Sequence, residues 1–360
     1  MAGALLAKAL TPQYRVALVD PNEYFEVPMA TPRSLVKPEF ADRAIISFAE
    51  ALPDVQHVRG ALTELRTDGG IVRLPGGQED LINGCIAVLA TGSVFSNSLM
   101  RAVGGASIDE RKSFYRSYRD RLAKAQRILI VGGGPIGVEV AGEIVEHYPD
   151  KGITLLEAGP RLLAGTSIGA AEYASQFLKA RGVTILTNER LDINVTRSTD
   201  VFSAGGEART GSGHNIPYDL LIWCVGGKPN TGYMKKHFSS VLNAAERIRV
   251  TPELRVSGFE RLLALGDITD LNENKMAWHI NGHVKTATHN IRLLLSPDRE
   301  ARRLKQYKPQ TGNPKMAVSL GSRHGVVQLP GIGVVRWSAL VRMAKSGHML
   351  VPQYRKALGV

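Results

Sequence analysis

Cysteine is scarce in this chain of 360 residues. Cys85 and Cys224 are its two cysteines, and each lies in an apolar run that predicts a strand. They are 139 positions apart, whereas thiols that cycle through a catalytic disulfide usually stand close together in sequence. The sequence therefore excludes chemistry that relies on a close-spaced redox disulfide.

Long apolar runs are also missing. No window approaches the roughly 18 consecutive apolar residues that a membrane-spanning helix needs, and Lys8 interrupts the opening apolar run before it resembles a signal peptide. With 44% hydrophobic and 22% charged residues, the composition is that of a soluble globular protein of about two domains. We therefore expect an intracellular, cytoplasmic protein.

Acidic residues are rare near the C-terminus. Positions 297–360 hold twelve Lys or Arg against Asp298 and Glu300, so this tail carries +10 of the chain's net charge of +12. A concentrated basic tail favours an anionic partner, either a lipid surface or a nucleic acid, and a solvated basic face is the alternative. No aromatic-interleaved basic motif accompanies the charge, so we expect no nucleic-acid partner.

Short β-branched runs alternate with helical segments along the chain. This alternation is typical of a parallel sheet covered by helices and indicates the α/β class. The predicted strands lie at 16–19, 86–89, 128–131, 153–156, 220–225 and 262–265. The predicted helices lie at 3–10, 135–147 and 170–181.

A glycine motif at the centre of the chain follows a predicted strand. Gly132, Gly134 and Gly137 have the spacing of a dinucleotide fingerprint. Pro135 begins the next helix, and Glu157 ends the next strand, twenty residues beyond the third glycine. The first glycine permits a tight turn, the second lets the backbone approach a pyrophosphate, and the third lets helix pack on strand. This context predicts an NAD(P)H site at the helix N-terminus.

Glu157 also bears on cofactor choice. A carboxylate at this position hydrogen-bonds the two ribose hydroxyls of adenosine, which favours NADH. Arg161 lies four residues further on and is either a surface residue or a partner for the 2′-phosphate of NADPH. Both cofactors therefore stay open at the level of sequence.

The N-terminus reads as a second copy of this unit. The helix predicted at 3–10 is followed by a strand that ends at Asp20, in the position of a ribose-binding acid. In this register Gly3 is the third glycine, so the first strand and first two glycines of the unit would lie ahead of Met1.

Further turns follow predicted strands or begin a helix. Small residues at such turns let the chain pass close to a bound dinucleotide, although an ordinary structural turn is the alternative. The turns of this kind are Thr91-Gly92 and Gly226-Gly227. Separately, Gly266-Asp267 places a carboxylate at the end of a predicted strand, and a helix is predicted to begin a few residues later at Met276-Ala277.

These features together resemble the apoptosis-inducing-factor-like flavoproteins, and in particular their ferroptosis-suppressor branch. The resemblance covers nearly the whole chain. The stretches that make it more specific than the wider superfamily lie at 20–26, 319–328 and 345–351.

The resemblance implies two Rossmann-like dinucleotide-binding domains, with an FAD domain interrupted by an NAD(P)H domain. On this sequence the FAD domain would comprise 1–124 and 248–296, the NAD(P)H domain 125–247, and a basic C-terminal region 297–360. The implied enzyme passes a hydride from NADH or NADPH to FAD and electrons on to a quinone-like acceptor. The acceptor site would be shaped by the C-terminal region.

The resemblance also assigns residues. Asp267 would hold the ribityl chain of FAD, and Met276 and Ala277 would direct a positive helix end at the flavin. Lys345 matches a lysine linked to activity, although the Arg-Asp that follows it in the family is replaced here. The other residues assigned to FAD are Gly3, Asp20, Thr91, Gly92 and Gly266, and those assigned to NAD(P)H are Gly132, Gly134, Pro135, Gly137, Glu157 and Gly226.

The absence of the first strand of the FAD unit leads to an expectation about this polypeptide. We expect FAD binding to be weakened or lost, or the outer domain to misfold, while the NAD(P)H domain persists. A misassigned start or lost exon is the favoured explanation, and a real shortened isoform is the other. The alternative function is a non-catalytic NAD(P)H-binding module.

Three smaller features complete the predictions. His279 and His283 stand four apart, a spacing that permits metal binding, but no third ligand is evident and we expect no metal site. Trp278 is expected in the core. The segment 331–345 is predicted to lie on an anionic bilayer or lipid droplet, with a C-terminal helix packed on the domain as the alternative.

Overall fold

The structure, a computed structural model, describes residues 1–95, 97–102, 104–192, 205–225, 227–297, 302–311 and 315–360. Within these ranges, no helix has both the length and the apolar character needed to cross a bilayer. The α-helices span Ala2–Leu10, Thr31–Val36, Ala41–Ala44, Phe48–Ala51, Ile108–Lys124, Pro135–His147, Ile168–Lys179, Ala277–Leu294, Ser338–Val341 and Val351–Leu358, and a π-helix spans Arg342–Ser346.

The strands are short and fall into small sheets. They span Ala17–Asp20, Tyr24–Glu26, Ile45–Ser47, Gln56–Arg59, Ala61–Arg66, Gly69–Arg73, Glu79–Ile82, Ala87–Leu89, Ser93–Val94, Arg127–Val131, Gly152–Glu157, Val183–Thr187, Gly206–Arg209, Asn215–Tyr218, Leu220–Trp223, Lys228–Pro229, Leu262–Ala264, Met316–Leu320, His324–Leu329 and Gly333–Val335.

A four-stranded parallel sheet forms the half of the chain that is predicted to bind NAD(P)H. Arg127–Val131 lies inside this sheet and pairs with Gly152–Glu157 on one side and Leu220–Trp223 on the other. Val183–Thr187 adds the outer strand. The inner strand is apolar and buried, as expected where helices cover both faces of a parallel sheet. The α/β fold class and the central strand–helix–strand unit are thereby confirmed.

The other half contains two separate parallel pairs. Ala17–Asp20 pairs with Gln56–Arg59, and Ala87–Leu89 pairs with Leu262–Ala264. Helix Ala2–Leu10 buries its apolar side chains in a cluster that also holds Leu263 and Ile280. The predicted helix at the N-terminus and the strands around it are confirmed.

An antiparallel hairpin of the C-terminal region packs against helix Pro135–His147. A Cβ added to Gly142 would lie 2.7 Å from the Cα of Leu320, so the two backbones approach as only glycine allows. The same helix presents three carboxylates to its neighbours. Glu139 bonds Ser319 and Lys345, Glu143 bonds Arg33, and Glu146 bonds Ser322.

Two details differ from the sequence predictions. Cys85 lies outside any strand and is exposed, because the strand begins only at Ala87. The strand predicted at 220–225 ends at Trp223, and Val225 is exposed. In both cases an apolar run extends beyond the part of it that is hydrogen-bonded in the sheet.

Candidate active site

One cavity of about 1960 Å³ is lined by residues from the N-terminal, central and C-terminal parts of the chain. It is larger than the range of about 300–1,000 Å³ typical of small-molecule sites, so it has room for an extended ligand such as a dinucleotide. Every residue that the sequence assigned to FAD lines it. These are Gly3, Asp20, Thr91, Gly92, Gly266, Asp267, Met276 and Ala277.

Asp20 ends its strand at the cavity wall. Its carboxylate accepts hydrogen bonds from the backbone N–H of Asn22 at 2.9 Å and from the Arg101 guanidinium at 3.3 Å. Arg101 also donates to the carbonyl of Thr91, so one cation joins the acid to the Thr91-Gly92 turn. Gly92 has φ of +67°, and a Cβ there would meet nothing within 4 Å, which leaves the backbone open toward the cavity. Arg101 had no distinguishing signal in the sequence.

A buried histidine supports the Gly266-Asp267 turn. The N–H of Gly266, a residue with φ of +77°, donates to Nδ1 of His283 at 3.0 Å. Nε2 of His283 donates in turn to Glu273 at 2.8 Å. The carboxylate of Asp267 accepts a hydrogen bond from Ser93 at 2.9 Å. These hydrogen bonds therefore fix the Gly266-Asp267 turn, and Asp267 lines the cavity.

A long helix begins at the same wall. Met276 is the residue before Ala277–Leu294, and no side chain caps the first N–H groups of this helix. Uncapped N–H groups and the helix dipole favour negative charge at this point. Lys275 lies beside it, and burial together with the nearby Arg247 lowers the pKa of its ammonium group.

The glycine fingerprint has the geometry that its spacing predicts. Gly132 has φ of +110°, and Gly134 is the residue before helix Pro135–His147. A Cβ on Gly137 would collide with the carbonyl oxygen of Gly132, whereas a Cβ on Gly134 would meet nothing within 4 Å. Gly137, the third glycine, therefore lets the helix pack closely against the glycine turn. Gly134, the second, leaves the space at the N-terminus of the helix open.

Glu157 lies at the end of the second strand of this unit. Its carboxylate accepts from the N–H groups of Gly133 at 2.7 Å and Gly159 at 2.6 Å, which holds it next to the glycine turn. Gly226, also assigned to NAD(P)H, lies outside the described residues. Pro135 lines the cavity described above, so the start of the nucleotide helix opens toward the FAD-assigned residues.

A sequence profile of the pyridine nucleotide-disulphide oxidoreductases matches residues 6–292. The chain belongs to this family. Among curated relatives, apoptosis-inducing factor homolog A of Dictyostelium discoideum is 27% identical over 98% of this chain and 88% of the relative. Human ferroptosis suppressor protein 1 is 29% identical over 93% of this chain and 87% of the relative. The resemblance inferred from the motifs is thereby confirmed.

A solved structure has the same fold. The sulfide:quinone oxidoreductase of Aquifex aeolicus superposes with a TM-score of 0.73 at 14% identity, covering 99% of this chain and 90% of that protein. This similarity confirms the two-dinucleotide architecture of a pyridine nucleotide-disulphide oxidoreductase. The family match makes the chain an oxidoreductase.

The thiols of this family member are not placed for a disulfide relay. Both cysteines are free, and Cys85 is exposed while Cys224 follows the strand Leu220–Trp223. Burial raises the pKa of the Cys224 thiol to about 12, so it stays protonated at neutral pH. A protonated thiol is a poor nucleophile, which leaves electron transfer through thiols without support.

Lys345 is buried and forms an ion pair with Glu139 of the nucleotide helix. Its ammonium group also donates to the carbonyl of Ala317 at 3.1 Å, and Ser319 donates to the same carboxylate at 2.8 Å. Both Lys345 and Glu139 line the cavity. Sequence reasoning identified the lysine but missed its partner, because the two lie 206 positions apart.

The histidine pair and Trp278 also have defined places. His279 and His283 both contact Glu273, at 3.4 Å and 2.8 Å, and Tyr307 donates to the same carboxylate. The prediction that Trp278 lies in the core is wrong. It is half-exposed at the cavity wall, with the Lys315 ammonium 3.7 Å from its ring centroid.

Arg161 is engaged within its own loop. Its guanidinium donates to the carbonyls of Leu163, Ala164 and Thr166 at 3.3, 2.9 and 2.8 Å. These bonds use three of the five N–H donors of the guanidinium within the loop.

We expect Arg161→Ala to change the ratio of NADH to NADPH affinity by less than about threefold. The reason is that the arginine hydrogen-bonds carbonyl groups of its own loop, so we do not expect it to bond the ribose phosphate. Glu157→Gln serves as the matched change and should weaken NADH binding by about tenfold, through loss of a charge-assisted hydrogen bond to the ribose. Isothermal titration with both nucleotides measures the ratio. A selective loss of NADPH binding in Arg161→Ala would contradict the assignment.

Proposed function

We propose that this chain is an FAD-dependent NAD(P)H oxidoreductase that delivers electrons to a quinone-like acceptor. The observation that carries the proposal is the single cavity joining Asp20, Asp267 and the Ala277 helix start to Pro135 of the nucleotide fingerprint. A flavin and a nicotinamide must meet for hydride transfer, and this cavity gives the two binding units one shared space.

The residues present fit the ribose and ribityl parts of FAD. Asp20 would bond the adenosine ribose, and Asp267 the ribityl chain. The open backbone at Gly92 would let a flat or extended ligand pass close. When bound, FAD accepts a hydride from NAD(P)H and passes electrons to the acceptor.

The protein's own contribution is placement and electrostatics. The uncapped start of Ala277–Leu294 and the Lys275 ammonium group offer positive charge at one end of the cavity. Such charge would stabilise negative charge that develops on the flavin. On the nucleotide side, Gly134 and Pro135 would bring the pyrophosphate to the helix N-terminus, and Glu157 would favour NADH.

Lys345 and Glu139 form the wall of the cavity on the side of the C-terminal region. We assign Lys345 the role of a positioning residue, since its ion pair fixes the C-terminal region against the nucleotide helix. The acceptor would enter between these two parts. This role agrees with the activity-linked lysine implied by the family resemblance.

The test is a visible absorbance spectrum of the purified chain, before and after FAD is added and unbound FAD removed. Because the expected FAD binding is weak, we expect flavin absorbance only after FAD is added, and bleaching by NADH without oxygen followed by recovery with a soluble quinone. A colourless protein that NADH nevertheless stabilises against heat would contradict the enzyme and favour a nucleotide-binding module.

Membrane contact is part of the proposal. Residues 315–360 contain seven Lys or Arg and no Asp or Glu. Ile332, Trp337 and Met343 are 73%, 72% and 68% exposed, beside the basic side chains of Arg336 and Arg342. Exposed apolar side chains among cations match an anionic bilayer surface. Met343 also lines the cavity, so the surface would adjoin the path of an apolar acceptor.

We expect the double substitution Trp337→Ser/Met343→Ser to weaken binding to vesicles of phosphatidylcholine and phosphatidylserine by about tenfold or more, because two large apolar side chains lose burial in lipid. Co-sedimentation measures the binding. Leu81→Ser removes an apolar side chain that is 47% exposed, outside the C-terminal region, and should change nothing. Equal binding by the double variant and the parent protein would exclude this surface.

A further inference from the structure

Strand Tyr24–Glu26 carries two polar side chains with opposite surroundings. Alternate side chains of a strand lie on the same face, and both Tyr24 and Glu26 line the cavity. The Glu26 carboxylate accepts hydrogen bonds from the Arg111 guanidinium at 2.9 and 3.1 Å and from the Tyr115 hydroxyl. The Tyr24 hydroxyl is buried and has no hydrogen-bond partner among the described residues. Glu26 is therefore engaged by other donors, whereas the Tyr24 hydroxyl is not engaged.

A buried hydroxyl without a partner is costly, because it loses its hydrogen bonds to water and gains none in return. Tyr24 is only 4% exposed. Other buried side-chain atoms in the described part of the chain also have no partner, but Tyr24 is the one among these residues that lines the cavity. Its position indicates a hydrogen bond that forms only when a ligand is bound.

The Tyr24 hydroxyl keeps its proton at physiological pH. Burial raises the pKa of Tyr24, and the nearby Glu26 carboxylate raises it further, whereas the Arg111 guanidinium has the opposite effect. A neutral phenol can donate one hydrogen bond. The missing partner would therefore be an acceptor, such as a carbonyl oxygen, a ring nitrogen or a phosphate oxygen.

The residues assigned to FAD surround this side chain. Asp20 and the Arg101 guanidinium that bonds it are close enough to Tyr24 to influence its pKa. Met276, at the start of the helix assigned to the flavin, packs against the apolar cluster that contains Tyr24 and lines the same cavity. FAD offers acceptor atoms in its flavin ring, its ribityl chain and its pyrophosphate. The unpaired hydroxyl thus belongs to the part of the cavity where the proposed function places FAD.

We propose that Tyr24 is a cofactor-binding residue that donates a hydrogen bond from its hydroxyl to an acceptor atom of FAD. In the complex the hydroxyl would gain the partner that it lacks in the ligand-free protein, so FAD would recover the cost of burying it. This role rests on the proposed function, because it requires FAD in the cavity.

The variant Tyr24→Phe tests the proposal in the full chain, because it removes the hydroxyl and keeps the ring that packs in the core. FAD binding is followed by flavin fluorescence, and thermal unfolding is measured without FAD. We expect the dissociation constant for FAD to rise by about tenfold. We also expect the Tm of the ligand-free protein to rise by about 2 °C or more, since a buried hydroxyl without a partner is removed. A tyrosine that served only the fold would not combine weaker binding with higher stability.

Tyr115→Phe is the matched control. The Tyr115 hydroxyl donates to Glu26 and accepts from Arg111 at 3.0 Å. Tyr115 lies in the same apolar cluster as Tyr24 but is not among the described residues that line the cavity. We expect this variant to lower the Tm of the ligand-free protein by about 2 °C or more, because its hydrogen bonds are lost. The dissociation constant for FAD should change by less than about threefold.

The outcomes distinguish this proposal from the proposed function. An unchanged or lower Tm in Tyr24→Phe would show that the hydroxyl already has a partner in the ligand-free protein, which overturns the proposal. Equal FAD affinity in Tyr24→Phe and the parent chain also overturns it and leaves the flavoenzyme intact. If the parent chain binds no FAD, the flavoenzyme is overturned, and the Tyr24 contact is overturned with it.

Discussion

Arg33→Met is expected to lower the free energy of unfolding by about 3–5 kcal/mol, because it leaves a carboxylate buried without its cation. The Arg33 guanidinium donates two hydrogen bonds to Glu143, at 2.7 and 3.2 Å, and Glu143 is inaccessible to solvent. The pair joins helix Thr31–Val36 to helix Pro135–His147, which lie in the halves predicted to bind FAD and NAD(P)H respectively. The loss should therefore loosen the contact between the halves.

The loss of unfolding free energy in Arg33→Met should be smaller at low pH than at high pH. Burial raises the pKa of Glu143 even with Arg33 beside it, and removal of the cation should raise this pKa further. A carboxyl whose pKa is raised on folding stabilises the folded state below its unfolded pKa, and that stability is lost as pH rises through the folded pKa. The variant should thus be weakened less at about pH 5 than at about pH 8.

Urea unfolding at the two pH values measures both effects. The double variant Arg33→Met/Glu143→Leu is the matched control, because it replaces the ion pair with apolar side chains and should recover most of the stability. A loss of less than about 1 kcal/mol at both pH values, as for an exposed pair, would contradict a buried role.

Gly134→Ala and Gly137→Ala should affect the same fingerprint in different ways. A methyl group on Gly134 points into open space where the pyrophosphate would lie. NADH affinity should fall by about tenfold or more while thermal stability stays unchanged. A methyl group on Gly137 collides with the Gly132 carbonyl, so it should destabilise the half by about 1–3 kcal/mol as well as weaken NADH binding.

Thermal unfolding with and without NADH, together with direct titration, separates the two effects. If Gly134→Ala unfolds at a lower temperature without nucleotide, the second glycine has a structural role that the geometry does not support. If Gly137→Ala keeps both stability and affinity, helix and strand are not in the close contact described here.

Local patterns predicted much of this fold. Helix Pro135–His147 has the predicted bounds, because a glycine turn, a proline at its first position and an apolar face all indicate the same start. The residues assigned to FAD, scattered from Gly3 to Ala277, line one cavity because they lie at the ends of parallel strands and at the starts of helices.

Contacts between distant segments could not be predicted in this way. The pairing of Lys345 with Glu139, and of Arg33 with Glu143, depends on how whole elements dock, and neither pair leaves a periodic signal in the sequence. The environment of Arg161 was equally hidden, since its partners are carbonyl groups whose direction is set by the loop. The core position predicted for Trp278 was wrong because the prediction rested on its apolar character alone, and the sequence does not show the cavity beside it.

The three carboxylates on helix Pro135–His147 have a practical consequence. Glu139, Glu143 and Glu146 are each bonded to a part of the chain outside 125–247. A fragment cut at these bounds would expose a row of acids and the bare backbone at Gly142, with none of their partners. Separating the nucleotide-binding half for study would therefore require rebuilding that helix face, and cofactor exchange in the whole protein should proceed with this helix fixed in place.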